Sequence, residues 1–395
     1  MDAELSGYLF VADISGYTGY LNASELEHAR GTLTDLLEIL IDRSGPPLTI
    51  SKLEGDAVFS YGFENAFRDG QTFVELVEGT YIAFRRAIDS MVLNNTCGCA
   101  ACANVTSLDL KFAVHFGTFL TQDLGAFQEL LGPDVNLVHR LMKNSVERAT
   151  GIRAYCLYTA AAFHELGLEA LDGFTLHHET VPDFGEVETW IQDVGRAYAT
   201  AGARERIELS DDETLFVLEG DLPMSPAAVW EYLSDPEYRN ILVGSDRQEI
   251  TGRAGGRVGV GSSYQCYHGS QVVPHTILEW EPFTRIVTED AMPRPASGTG
   301  LSVVSIRQTP SGSHIERALG RMRVGPVMRV IAKLGFMKVA ERVQTRSFDR
   351  FLEAVRNDWA TRSISGVDPV VVTNDSIDAA ARSSLMDSDG GISGP

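Results

Sequence analysis

Asp13 stands at the end of a short apolar run, residues 9–12, and is followed closely by Ser15-Gly16. Such a run reads as a buried strand, and Ser-Gly as the sharp turn that leaves it. A carboxylate at the end of a buried strand is costly unless something cationic receives it. A second apolar stretch, 48–63, is interrupted by Lys52-Leu53-Glu54-Gly55-Asp56, and Gly55-Asp56 has the composition of a tight hairpin turn. That hairpin is expected to carry Asp56 to the sheet end that holds Asp13. Two aspartates and the Ile14 carbonyl would then offer the oxygen ligands that Mg2+ or Mn2+ prefer. Either aspartate alone would read as an ordinary turn residue. Asn136 and Arg140 lie four apart in a predicted helix over 134–144, so both project from one face. Cys97, Cys99 and Cys102 form a Cys-x-Cys-x-x-Cys segment close enough to chelate Zn2+. The fourth ligand would have to come through the fold, from His115 or Cys156; a reduced loop is the other reading.

The elements that must position these residues follow from periodicity. Leu33, Leu36, Leu37 and Leu40 recur at helical spacing within 24–40, and Ser24 with Glu27 has the pattern of a capping box. A helix is expected over 71–91, with Phe73, Val77, Tyr81 and Phe84 on one face, and an alternating strand over 108–119. Strand, helix, hairpin, helix, strand, helix, strand is the order of an α/β sandwich. Residues 197–213 lose apolar periodicity and read as a linker. Beyond them come a strand at 215–222, a helix opened by Ser225-Pro226, several strands over 246–318 and a long helix over 326–359. His268, His275, His314 and Asp290 fall on these strands without forming a catalytic constellation. After Thr361 the Ser-, Asp- and Gly-rich sequence reads as a disordered tail.

Three blocks together carry a resemblance: Asp13-Ile14-Ser15-Gly16-Tyr17-Thr18, Lys52-Leu53-Glu54-Gly55-Asp56-Ala57, and Gly132-Pro133-Asp134-Val135-Asn136-Leu137-Val138-His139-Arg140-Leu141. In order and spacing they resemble the signatures of class III nucleotide cyclases. The resemblance implies an α+β fold, with a cyclase-type sandwich on a ferredoxin-like core over 1–196. It implies that Asp13, Ile14 and Asp56 hold metal, that Asn136 orients the ribose, and that Arg140 stabilises the transition-state phosphate. The latter two would act across the interface of a head-to-tail homodimer. Lys52 aligns with the purine-reading lysine of adenylate cyclases, and Glu129 falls where those enzymes carry an aspartate; this favours ATP over GTP, with cyclic AMP and pyrophosphate as products. Two departures exist. Val181-Pro182-Asp183-Phe184-Gly185-Glu186 lacks the base that the family offers to the phosphates, and His139 adds bulk beside Arg140. They leave open a catalytically silent homologue that senses nucleotide. The cysteine segment, with Leu110–Gly117 (Leu-Lys-Phe-Ala-Val-His-Phe-Gly) and His139-Arg140-Leu141-Met142-Lys143-Asn144, also resembles a branch of cyclase-homology proteins of unknown function.

Residues 212–360, after a linker at 197–211, resemble the START-like, polyketide-cyclase-like superfamily in pattern. The resemblance implies a helix-grip domain whose cavity takes an apolar small molecule. An aromatic polyketide cyclase is a third reading that rests on this fold analogy alone.

At 395 residues, 44% hydrophobic and 22% charged, the chain is long enough for two domains with sizeable cores. A net charge of −21 argues against nonspecific nucleic-acid binding. No apolar run is long enough to cross a bilayer, the N-terminus is not a secretory signal, and five cysteines make a poor disulfide framework. The expectation is a cytoplasmic protein in signal transduction.

Overall fold

The computed structural model of the chain describes residues 4–123, 128–202, 206–294, 298–320, 323–324 and 337–364. Its strands form two eight-stranded sheets, and the mixed α+β class expected from the sequence is what is found.

The first sheet has the order β2-β3-β1-β4-β6-β8-β7, with β5 pairing β4 off the path. These strands are β1 (Leu5–Ser15), β2 (Thr49–Glu54), β3 (Ala57–Phe63), β4 (Asp109–Asp123), β5 (Gln128–Leu131), β6 (Tyr155–Thr159), β7 (Phe174–Val181) and β8 (Gly185–Asp193). β1 lies between β3 and β4, antiparallel to both, so its polar end is held from two sides. Its side chains alternate, as a strand requires. Phe10, Ala12 and Ile14 pack among the residues of α2 (Leu26–Ser44) and α3 (Gly70–Leu93), while Leu9 and Val11 face α5 (Pro133–Leu141). Asp13 has the parity of Leu9 and Val11 and therefore lies on the side of α5.

Short helices fill the corners: α1 (Tyr17–Asn22), α4 (Ala100–Asn104), α6 (Val146–Thr150), α7 (Ala160–Glu165) and α8 (Gly195–Ala201). Two expectations need correction here. The capping box at Ser24 and Glu27 does not form; α2 begins at Leu26 with Glu25 as its N-cap and no side-chain cap bond. Glu25 instead turns its carboxylate to the backbone N–H groups of Ala100 (3.3 Å) and Ala101 (3.1 Å) at the start of α4. The stretch read as a linker opens with α8, because Tyr198 packs on Tyr81 of α3 and donates to Asp89.

The second sheet runs β10-β11-β12-β13-β14-β15-β9, with β16 pairing β14. Its strands are β9 (Thr214–Leu222), β10 (Arg247–Thr251), β11 (Ser263–His268), β12 (Gln271–Glu281), β13 (Arg285–Ala291), β14 (Gly298–Thr309), β15 (Gly312–Gly320) and β16 (Arg323–Val324). Between β9 and β10 come α9 (Pro226–Ser234), capped by Ser225, and α10 (Pro236–Val243). The described part of the last helix is α11 (Met337–Ile364), so the expected start at 326 and the tail beyond 364 lie outside the described residues. Phe348, Phe351, Leu352 and Val355 of α11 pack with Leu218, Trp230 and Ile315. A Cβ on Gly220 would stand 2.5 Å from Leu352 Cδ1, so a larger residue there would push the Leu352 side chain aside.

Helix α3 joins the two halves. Gln71 bonds both backbone groups of Val258, at 2.7 and 2.8 Å, and Glu78 pairs with Arg257 at 2.7 Å. Glu75, 6% exposed, accepts from the indole N–H of Trp230 (2.9 Å) and of Trp280 (2.7 Å) and from Gln71 (2.8 Å). Burial is the main cause that pushes its carboxyl up to about 7, against those three donors.

Candidate functional site

Asp13 and Asp56 meet where the sheet ends. Asp13 pairs in register with Ala57 of β3, and the N–H of Ile14 donates to the Asp56 carbonyl at 3.1 Å. The second contact ties the hairpin turn directly to the end of β1. Burial, then the neighbouring Asp13 charge, raises the Asp56 carboxyl above the ordinary aspartate value. Lys111, opposite Asp13 on β4, places Nζ 3.1 Å from Asp13 Oδ2 and donates to the Met142 carbonyl just past α5, also at 3.1 Å. Two half-buried carboxylates that repel each other, with one ammonium between them and the helix end, make a donor set with room for more positive charge.

Helix α5 is placed by Asp134. Its Oδ2 accepts from the Thr118 N–H at 2.7 Å, and its Oδ1 lies 3.2 Å from His115 Nε2. A Cβ on Gly117 would come within 2.4 Å of Asp134 Oδ2, so this glycine is what lets the helix start sit on β4. Val135, Leu137, Val138 and Leu141 are buried beneath α5, which leaves Asn136 and Arg140 on its exposed face. Arg140 does not stand alone. Its Nη2 lies 2.9 Å from Asp183 Oδ2, and its Nη1 donates to the Pro182 carbonyl at 3.1 Å. The β7–β8 turn, which lacks a base, thus holds the arginine of α5.

Lys52 and Glu129, 77 residues apart, meet at 2.9 Å, and Lys52 also lies 3.2 Å from Glu54. The Glu129 hydrogen bond is the largest influence raising the lysine above its ordinary value. Glu54 in turn contacts His139 Nδ1 at 3.1 Å, and the imidazole packs on Phe59 with ring centres 4.6 Å apart. Burial lowers the His139 imidazole below its usual value, against the neighbouring Glu54 charge, which raises it. No hydrogen bond or ion pair among the described residues joins this group to Asp13 and Asp56.

The cysteine segment gains a partner that periodicity did not indicate. His28 of α2 lies with Nδ1 3.1 Å from Cys99 Sγ and 3.7 Å from Cys97 Sγ. Neither expected ligand is near: His115 is engaged with Asp134 and Thr159, and Cys156 is fully buried in β6. His28 could be suspected from sequence only as a surface histidine on a helix, a weak signal.

In the second half Phe348, Phe351, Leu352 and Val355 of α11 are buried in the core. Charged groups are buried there as well: Arg239 and Arg317 are each 2% exposed, and His275 Nδ1 lies 3.3 Å from Asp290 Oδ1. A cavity of about 270 Å³ lies at the junction of the halves, lined among others by Arg68, Glu75, Trp230, Glu231 and Arg253. Among the described residues no helix is long and apolar enough to cross a membrane.

With this geometry in hand, four likenesses can be stated. A family model described as a protein of unknown function, DUF2652, matches residues 33–150, which include Lys52, Asp56, Asn136, Arg140 and the cysteine segment. An uncharacterized protein of Mycobacterium tuberculosis is 32% identical over 133 residues, which are 32% of this chain and 60% of that protein. Among solved structures, a bacterial light-regulated adenylyl cyclase is similar over 49% of this chain and 54% of its own, at 14% identity and a TM-score of 0.39. The adenylyl cyclase CyaB from P. aeruginosa is similar over 48% of this chain and 95% of its own, at 17% identity and a TM-score of 0.35. The chain thus spans about half the length of the light-regulated cyclase and 60% of the mycobacterial relative.

Proposed function

We propose that the chain is a class III nucleotide cyclase that works as a head-to-tail homodimer and converts ATP to cyclic AMP and pyrophosphate. The observation that carries the reading is the meeting of Asp13 and Asp56 at one sheet end, tied by the Ile14 N–H on the Asp56 carbonyl. In the reaction the ribose 3′-oxygen bonds to the α-phosphorus as the bond from that phosphorus to the bridging oxygen of pyrophosphate breaks, and the hydroxyl proton passes to solvent. Asp13, Asp56 and the Ile14 carbonyl would hold Mg2+ or Mn2+. A divalent ion there supplies charge for the attacking and leaving oxygens. Asn136 and Arg140, on the exposed face of α5 in the second copy, would orient the ribose and meet the phosphate charge. Lys52 and Glu129, already in contact, would read the adenine ring nitrogen and its exocyclic amine. The dimer reading rests on the resemblance of the Asn136 and Arg140 block to the cyclase signature, whose pair acts across the subunit interface.

The second half, read as a helix-grip, START-like domain over 212–360, would regulate the site through a bound small molecule. A silent homologue is the second reading, favoured by one observation. Arg140 is already paired with Asp183, in the turn that lacks a base, so the cation needed for the phosphate is occupied. Purified protein given ATP or GTP with Mn2+ separates the two. Cyclic AMP that disappears in Asp13→Ala supports the enzyme, whereas nucleotide binding without product supports the silent sensor.

A further inference from the structure

Helix α2 and the segment before α4 are distant in sequence and share little apolar surface. Residues 94–99 form no helix or strand, α4 has five residues, and Ala101 alone is buried within it. Yet four ligand-type atoms converge there. The His28 Nδ1 and the sulfurs of Cys97, Cys99 and Cys102 all lie within 4.8 Å of one another. Tetrahedral zinc, with Zn–S near 2.3 Å and Zn–N near 2.0 Å, separates neighbouring ligand atoms by about 3.5–3.8 Å. The 3.1 and 3.7 Å separations of His28 Nδ1 from Cys99 and Cys97 bracket that spacing. The surrounding backbone already suits a thiolate: the Cys102 N–H points at Cys99 Sγ at 3.4 Å. Glu25, one turn before His28, fixes the N–H groups of Ala100 and Ala101 between the last two cysteines.

We propose that His28, Cys97, Cys99 and Cys102 bind one Zn2+ in a closed Cys3His site that pins the start of α2 to the segment entering α4. The ligand set is complete within one chain, with no position left for substrate, so the role is structural rather than catalytic. Binding proceeds with loss of the three thiol protons to solvent, while His28 coordinates as the neutral ring through Nδ1 and keeps its Nε2 proton. Soft thiolates with one imidazole select zinc over Mg2+ or Mn2+, so this site and the aspartate pair do not compete for one ion. What zinc fixes is the layer behind the Asp13 turn: Ser107, which follows α4, brings its carbonyl to within 3.0 Å of where a Gly16 Cβ would stand.

The proposal stands independently of the cyclase reading and is tested without any activity. The full chain, purified under reducing conditions and dialysed, is assayed for metal content. The stripped protein is then titrated with CoCl2 and ZnCl2. Expected are one zinc per chain, thiolate-to-cobalt charge-transfer absorption on CoCl2 addition, and its loss on ZnCl2 addition. His28→Ala and Cys99→Ser should each lower bound zinc at least tenfold. Wild-type protein without zinc and without a cobalt–thiolate band overturns the proposal, as does a Cys99–Cys102 disulfide in protein kept under reducing conditions. Because the cobalt titration uses the wild-type chain, a variant that fails to fold does not blunt the result.

Discussion

Asp13 faces two cations in this account, the Lys111 ammonium that it touches at 3.1 Å and the divalent ion it would share with Asp56. Asp56→Asn should therefore abolish product formation, by at least a hundredfold, while circular dichroism and melting stay near wild type. Retained turnover would remove the carboxylate pair from the mechanism. Arg140 offers the complementary test. Its pair with Asp183 is exposed, 43% and 75%, and an ion pair of that kind is worth under about 1 kcal/mol. Asp183→Ala should leave stability unchanged within that margin and raise nucleotide turnover several-fold, read as cyclic AMP per chain. Unchanged turnover would mean that Asp183 does not restrain the arginine. At this scale much was legible: Asp13, Asp56, Lys52 and Arg140 announce themselves through the strand ends and turns around them. His28 does not, nor does the pairing of Asp183 with Arg140, because the partners lie far apart in sequence and only the fold brings them together.

At the scale of elements, α5 is the piece that everything else adjusts to. Gly117 and Asp134 set its start, Lys111 reaches its end, and His139 links it to β2. Gly117→Ala forces a methyl into the Asp134 carboxylate, and such overpacking costs about 1–3 kcal/mol. The expected result is a lower urea midpoint together with reduced turnover, since Asn136 and Arg140 would shift with the helix. Normal turnover in a destabilised variant would show that α5 does not position the reacting groups. The sequence pattern located α3, α5 and β4 well, since each has a long apolar period. It misplaced the start of α2, where Ser24 and Glu27 match a capping box but Glu25 finds better donors on α4. Likewise 197–201 reads as linker because its apolar periodicity is lost, yet Tyr198 is enough to dock a two-turn helix on α3.

For the whole molecule, the contact between the halves turns on Glu75. Removing its carboxylate in Glu75→Ala leaves the Trp230 and Trp280 indoles without acceptors in a buried site. The expected cost is about 2–5 kcal/mol in chemical unfolding. Glu75 also makes stability depend on pH. Its folded value, about 7, lies above the ordinary 4.5, so the native state binds the extra proton. The stability contributed is full below about 4.5 and is lost as pH rises through about 7. Burial pushes Glu231, at the same junction and bonded to the Arg68 and Asp69 N–H groups, in the same direction, also to about 7. Unfolding midpoints should fall from pH 5 to pH 8, and the fall should shrink in Glu75→Gln. An identical pH profile in that variant would place the titrating group elsewhere. None of this was readable beforehand, because Glu75 sits in a helix face that periodicity marks simply as apolar.

The central claim is tested most directly by cyclic AMP and cyclic GMP production from the purified chain with ATP or GTP and Mn2+, beside Asp13→Ala. The account predicts cyclic AMP from ATP that vanishes in the variant. Binding of ATP by a well-folded chain, with neither cyclic nucleotide formed, would contradict it.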